Sequence, residues 1–276
     1  MIHVLYHGNC YDGFGAAWAA WKKLGDEGVE YRAVNYGEPP PAFHNTDQGK
    51  LYLLDFTYPR DTLLMLSKEF DLTVLDHHKS AKDDLTGLPF ATFDLEKSGA
   101  VLTWEHFHPG QPVPMLLQYI QDRDLWKFAL PGSREVAAWM RSFPYDFHVW
   151  EGLEARLDTV DGDLAGVWEE GAAILRFQDR QVRNMADRQE GIIIGGYNVP
   201  CANATLFFSE VGEELCKRYP DAPFSAYYCD WPNRRQWGLR SRGRFDCSEV
   251  AKKYGGGGHP GAAGFVTDRT WRGDPQ

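Results

Sequence analysis

The opening of the chain sets the strongest constraint on its fold. Four short runs rich in β-forming residues, IHVLYH (Ile2 to His7), YRAVNY (Tyr31 to Tyr36), LYLLDF (Leu51 to Phe56) and LTVLDHH (Leu72 to His78), read as strands. FGAAWAAWKKLG, rich in helix formers and closed by Gly25, lies between the first two. PRDTLLMLSKEF, with Pro59 and Asp61 as start signals, lies between the last two. Strand and helix in alternation predict an α/β fold with a doubly wound, mostly parallel sheet.

Placing the polar residues on that scheme brings out a second pattern. His7, Asp12, Asp55, Asp76, His77 and His78 all fall at or just beyond the carboxyl ends of the expected strands, the edge at which open α/β sheets bind ligands. Buried parallel strands tolerate few charges, so acids and imidazoles emerging together at one rim imply a shared ligand, and that ligand should be a cation. Carboxylates with one or two imidazoles suit one or two divalent ions. Manganese is the first choice, with magnesium, zinc or iron as the others.

Composition narrows the function classes. The 276 residues, 43% of them hydrophobic, are enough for two domains. A formal net charge of -10 disfavours a broad footprint for duplex DNA but leaves room for a local basic pocket that holds a small phosphorylated ligand. Cys10, Cys201, Cys216, Cys229 and Cys247 show neither a C-x-x-C pair nor a zinc-site spacing, so they read as reduced and mostly structural. With no signal-like start and no apolar run near the roughly 20 residues that cross a bilayer, the expectation is a soluble, cytoplasmic protein without a membrane partner.

From about Ser98 to Gln189 the pattern is mainly helical, and its last helix is the candidate connector. A second α/β pattern follows, from GIIIGGYNVPCANA to SEVAKKYGGGGHPGAAGF. The expected domains are 1–160 for the metal-bearing unit, 161–190 for the helical connector and 191–276 for a smaller C-terminal α/β domain. The glycine run lacks the flanking strand, helix and downstream acid of a dinucleotide-binding loop. Its residues Gly257 and Gly258 instead suit close approach of backbone N–H groups to a phosphate, with His259 as a further donor. Arg240 and Arg242 alternate along an expected strand and so should share a face from which a guanidinium can grip phosphate. Tyr227, Tyr228, Trp231 and Trp237 are candidates for base stacking or for the core. Ser98, Gly99 and Ala100 read as a helix cap.

LDHH, preceded by an aspartate closing the previous strand in LLDF and by CYDGFGAA after the first strand, resembles the DHH phosphoesterase superfamily. GGGGHPGAAGF, with LRSR and DCSEVAKKY before it, resembles the DHH-associated C-terminal substrate-binding domain. The resemblance implies that Asp12, Asp55, His77 and an aspartate of QDRDLW hold one metal, with Asp55 bridging to a second. Asp124 is favoured for the last ligand and Asp122 competes with it. His78 would contact the phosphoryl oxygens or leaving group, and Asp76 would act in catalysis directly or by orienting a histidine. The chain departs from the family pattern where Cys10 and Tyr6 occupy the usual first-metal ligand positions, and His7 or Asn9 are the neighbours that can substitute.

The implied activity is a manganese-dependent phosphodiesterase acting on small nucleotides or short single-stranded oligonucleotides. The second domain would bind the rest of the substrate, and a second copy of the chain is a candidate partner. The rivals are a nucleoside bisphosphate phosphomonoesterase and a nucleotide-binding sensor with an impaired metal site.

Overall fold

The computed structural model describes residues 1–43, 49–158 and 162–275. It divides into two compact units, Met1–Leu175 and Arg176–Gln276. The expected domain limit at residues 160 and 161 lies outside the described residues.

In the first unit the alternation read from the sequence is present. Strand β1 (Ile2–His7) leads into helix α1 (Tyr11–Leu24), followed by β2 (Val29–Val34) and β3 (Lys50–Leu54). Next come α2 (Arg60–Glu69), β4 (Asp71–Asp76), the short α3 (Lys82–Leu85) and β5 (Ala91–Phe93). All pairings among these strands are parallel, in the order β2-β1-β3-β4-β5. This is a doubly wound order, with its switch point between β1 and β3.

Period-two alternation within single strands builds the two faces of the sheet. Leu51 and Leu53 enter one buried cluster with Leu63, Leu66 and Val74. Tyr52 and Leu54 enter the opposite one with Val4, Ala16 and Ala20. Helix α1 is apolar on more than one side because it lies between layers. Ala16 and Ala20 face the sheet cluster, whereas Trp18 and Ala19 join a helical cluster containing Trp139 and Trp150. That helical layer comprises α4 (Gly99–Phe107), α5 (Met115–Asp124), α6 (Ser133–Met140), α7 (Phe147–Leu157) and the start of the long α8 (Leu164–Ala186), whose later residues Val182 and Ala186 pack with Ala202 and Val211 of the second unit.

The second unit is a mixed sheet with two helices. Its elements are β6 (Glu190–Ile194), β7 (Tyr197–Asn203), α9 (Phe208–Arg218), β8 (Ser225–Trp231), β9 (Arg234–Arg240), α10 (Cys247–Lys252), β10 (Gly257–His259) and β11 (Ala262–Thr267). The strand order is β10-β11-β9-β8-β7-β6, in which β7 and β8 run parallel. Gly195 and Gly196, with φ of 63° and 89°, make the two-residue turn between β6 and β7; positive φ at both positions is what a tight hairpin of this hand requires.

One expectation for this unit changes, and the alternatives left open by the sequence are decided. Strand β9 ends at Arg240, so Arg242 does not share its face. The backbone N–H of Ser241 donates to Gly261 O (3.1 Å) and Gly243, at φ 92°, turns the chain away. Arg242 is left exposed, in an ion pair with Glu213 (2.8 Å). Trp237 is core, 1% exposed, with Nε1 donating to Thr267 Oγ1 (2.9 Å). Tyr228 is covered by the Arg235 guanidinium 4.0 Å from its ring centre, and Tyr227 stacks on Phe208, whereas Trp231 stays exposed. Finally, Gly257, Gly258 and His259 form an edge strand. His259 pairs with Ala262, which pairs with Arg240, so Arg240 and His259 occupy one row on one face of the sheet.

Candidate metal centre

The carboxyl edge of the first sheet gathers the acids and imidazoles. β1 ends in His7, the chain leaving β3 carries Asp55, and β4 ends in Asp76 and runs on into His77 and His78. Asp12 comes from the first turn of α1, and Asp124 is the last residue of α5. Asp55 sits at the switch point with its backbone in the left-handed region, φ 56°. That conformation is uncommon for residues other than glycine, and it is held here by the Asp55 N–H donating to Leu75 O (2.9 Å).

Three carboxylates converge on one imidazole nitrogen. His77 Nε2 lies 3.1 Å from Asp55 Oδ1, 3.3 Å from Asp12 Oδ2 and 3.6 Å from Asp124 Oδ2. Ligand atoms at about 2.1 Å from one divalent ion in octahedral geometry stand about 3 Å apart along each edge, close to these separations. Asp55 is 1% exposed, yet neither of its oxygens has a hydrogen-bond partner among the described residues. A buried carboxylate is costly unless positive charge completes it, and here only imidazoles, themselves able to bind a metal, face the two oxygens. The residues present therefore fit a divalent cation.

Asp12 is oriented from behind. Its Oδ2 accepts from Gly99 N (2.6 Å) and its Oδ1 from Ala100 N (2.9 Å), so the N-terminus of α4, whose dipole favours anions, fixes the carboxylate. Ser98 caps the same helix, its hydroxyl accepting from Val101 N. The expected cap is thus also the mount for Asp12.

Charge in the cluster is strongly coupled. Burial pushes the Asp12 carboxyl up, Asp55 and Asp124 add to the effect against His77, and the result is about 6. Burial also opposes ionisation of Asp55, but His7, His77 and His78 outweigh it and hold that carboxyl well below the usual range. At His77 burial pulls down, while Asp12, Asp55 and Asp124 raise the imidazole to about 12. His7 is raised well above its ordinary value, burial being outweighed by Asp55 and Cys10. A cluster that retains a proton this firmly is one that demands positive charge.

The other site candidates fall into distinct places. His78 Nδ1 donates to Asp76 Oδ1 (2.7 Å), which also accepts from the backbone N–H groups of His77 (2.7 Å) and His78 (3.1 Å). Asp76 therefore orients His78 and the strand end. Asp122 turns away from the centre: its oxygens accept from Ala129 N (2.9 Å) and Leu130 N (3.1 Å), tying down the loop after α5. His7 Nδ1 stands 3.5 Å from Asp55 Oδ2, on the side away from His77, whereas Asn9 is exposed in a left-handed turn.

The sequence reading gives Tyr36 no part in the cluster and counts Cys10 as a departure from the ligand pattern. Tyr36 brings its ring within 5.2 Å of the His7 ring centre and 5.6 Å of His78. Cys10 can share an ion with His7 and Asp55, its sulfur and one ligand atom of each lying within 4.8 Å of one another. The signal for Cys10 is its place at a usual first-metal ligand position, two residues before Asp12.

No protein-family model matches the chain. It is similar to an uncharacterised protein of Acanthamoeba polyphaga mimivirus, 31% identical over 294 residues, an alignment covering 95% of this chain and 66% of that protein. The chain thus spans 66% of the length of the curated relative it matches. Among solved structures it is similar to a pGpG-specific phosphodiesterase from Vibrio cholerae, at 15% identity and a TM-score of 0.49, covering 97% of this chain and 93% of that one. The DHH domain of a member of a family of ribosomal proteins gives 12% and 0.49, over 97% and 82% of the two chains. RecJ from Thermus thermophilus in complex with Mn2+ gives 16% and 0.46, over 97% and 49%.

No helix among the described residues is long and apolar enough to cross a membrane.

Proposed function

We propose that the chain is a metal-dependent phosphoesterase of the DHH type, hydrolysing phosphodiesters of small nucleotides or short single-stranded oligonucleotides, with manganese as the preferred ion. The observation that carries this is Asp55, a buried carboxylate whose two oxygens face the His7 and His77 imidazoles, one each, at the carboxyl edge of a parallel sheet. Asp12, Asp55, His77 and Asp124 would hold the ion. A divalent cation in such a site supplies a nucleophile from water near neutral pH and offsets charge on the attacking and leaving oxygens.

The remaining work falls to the protein. Asp12 is kept at its post by α4 and cannot swing out as substrate arrives. His78, with its Nδ1 proton committed to Asp76, presents the opposite edge of its ring to a phosphoryl oxygen or leaving group and can pass a proton there. In the second unit, the row shared by Arg240 and His259, beside Gly257 and Gly258, is the proposed phosphate contact. Arg242 is less suited, being engaged by Glu213.

Purified protein incubated with manganese and bis-p-nitrophenyl phosphate, then with a panel of short RNAs, cyclic dinucleotides and nucleoside bisphosphates, tests the proposal. Hydrolysis that disappears in Asp55→Asn supports it. Release of phosphate from bisphosphates alone would make the protein a monoesterase, and nucleotide binding with bound metal but no turnover would make it a sensor.

A further inference from the structure

The N-cap of α1 is an odd place for a cysteine. Ser, Thr, Asp and Asn are favoured there because their oxygens accept from the first turn. Cys10 occupies the position in extended geometry, φ -127° and ψ 136°, and its side chain makes no capping hydrogen bond. Nor is it one of the chain's buried packing thiols; Cys201, Cys216 and Cys247 are buried, whereas Cys10 is partly accessible.

What Cys10 does face is chemically specific. Its sulfur, an imidazole nitrogen of His7 and a carboxylate oxygen of Asp55 can meet around one ion. The placement is rigid. The first turn of α1 lies directly on the end of β1, so that a Cβ at Gly13 would stand 2.1 Å from His7 O, and the Tyr36 ring backs His7 from outside. Asp55 supplies the independent sign of a ligand. It is almost wholly buried, neither oxygen makes a well-formed hydrogen bond among the described residues, and Oδ1 faces the His77 imidazole while Oδ2 faces that of His7. One oxygen is thus available to each of two ions.

The donors on the two sides differ in kind. Around His77 they are carboxylates and one imidazole, which suit manganese or magnesium. Around His7 they are a thiolate, an imidazole and a carboxylate, which suit zinc, cobalt or ferrous iron. We infer that Cys10, His7 and Asp55 form a second, sulfur-containing metal site, so that the centre takes two unlike ions with Asp55 between them. The inference rests on the proposal that this rim binds metal, and it makes Cys10 a ligand where it had read as the loss of one. As the sulfur–metal bond forms, the thiol proton leaves to solvent.

Cobalt(II) titration of the metal-free protein tests this without any assay of turnover. The expected result is two bound equivalents and a near-ultraviolet thiolate-to-cobalt charge-transfer band. Cys10→Ser should lose the band and one equivalent. His77→Ala should lose the other equivalent and keep the band. Circular dichroism of each variant confirms that it is folded. As a second measurement, zinc should slow iodoacetamide modification of Cys10, mapped by peptide mass spectrometry. Cobalt bound without a sulfur band, a band that survives in Cys10→Ser, or a Cys10 alkylation rate indifferent to zinc would overturn the inference while leaving the His77 site intact. Failure of the wild type to bind cobalt at all would overturn both the inference and the proposed function.

Discussion

Gly99 and Asp55 are in steric register: a Cβ on Gly99 would stand 2.4 Å from the Cβ of Asp55 and 2.7 Å from its Oδ1. No side chain of any size fits between α4 and the carboxylate, and Gly99 N is meanwhile committed to Asp12. Gly99→Ala should therefore cost about 1–3 kcal/mol of stability, as overpacking does. It should also weaken divalent-ion binding, since both acids move. Denaturant unfolding beside a manganese titration measures the two effects, and unchanged metal affinity would count against the tight coupling of α4 to the centre.

Asp122 and Asp124 separate structure from metal binding. Asp122→Ala removes the acceptor of two loop N–H groups and should destabilise by about 1–3 kcal/mol with metal binding retained. Asp124→Ala should leave the unfolding midpoint nearly unchanged and reduce metal affinity, by no less than the roughly 10- to 100-fold that follows loss of an outer-sphere partner. Reversal of this pattern would exchange the two assignments.

Ligand protons compete with the cation, so affinity should rise with pH. With the Asp12 carboxyl at about 6 and the His77 imidazole at about 12, both give up protons to an ion arriving at about pH 5, whereas at about pH 8 Asp12 is already ionised and His77 alone must do so. Calorimetry in buffers of different ionisation enthalpy should thus find more protons released per ion at the lower pH. Equal release at both would contradict the raised Asp12 value.

His78 and Asp76 should act after binding. His78→Ala is expected to keep its metal and lower kcat by about 100-fold or more, the usual contribution of a positioned proton donor. Asp76→Asn leaves the ring less firmly held and should fall between that variant and wild type. Metal content by elemental analysis, set against kcat, checks both.

Much of the metal rim was legible because strand periodicity alone places residues at strand ends: His7, Asp55, Asp76 and His77 need only the count of residues along four runs. The choice within α5 was not. Residues two apart on a helix point to nearly opposite sides, so one of Asp122 and Asp124 had to face away, but only the packing of the helix decides which. The second unit was less legible for a similar reason. LRSR reads as alternating strand, and nothing local announces that Ser241 will leave the sheet by bonding Gly261. For Trp237 the choice between stacking and core stays open in the sequence, and the packing of Phe265 and Trp271 against it decides for the core. Cys10 was hidden by expectation, since a missing acid invites the search for another oxygen or nitrogen.

The left-handed backbone of Asp55 restricts how this position can change over generations. Apart from glycine, few residues rest comfortably at such dihedrals, and asparagine is foremost among them. The easiest mutational step away from aspartate therefore trades one oxygen for an amide nitrogen, keeping the chain's shape while silencing its charge. A lineage that no longer needed turnover would have a short road to a folded, inert descendant.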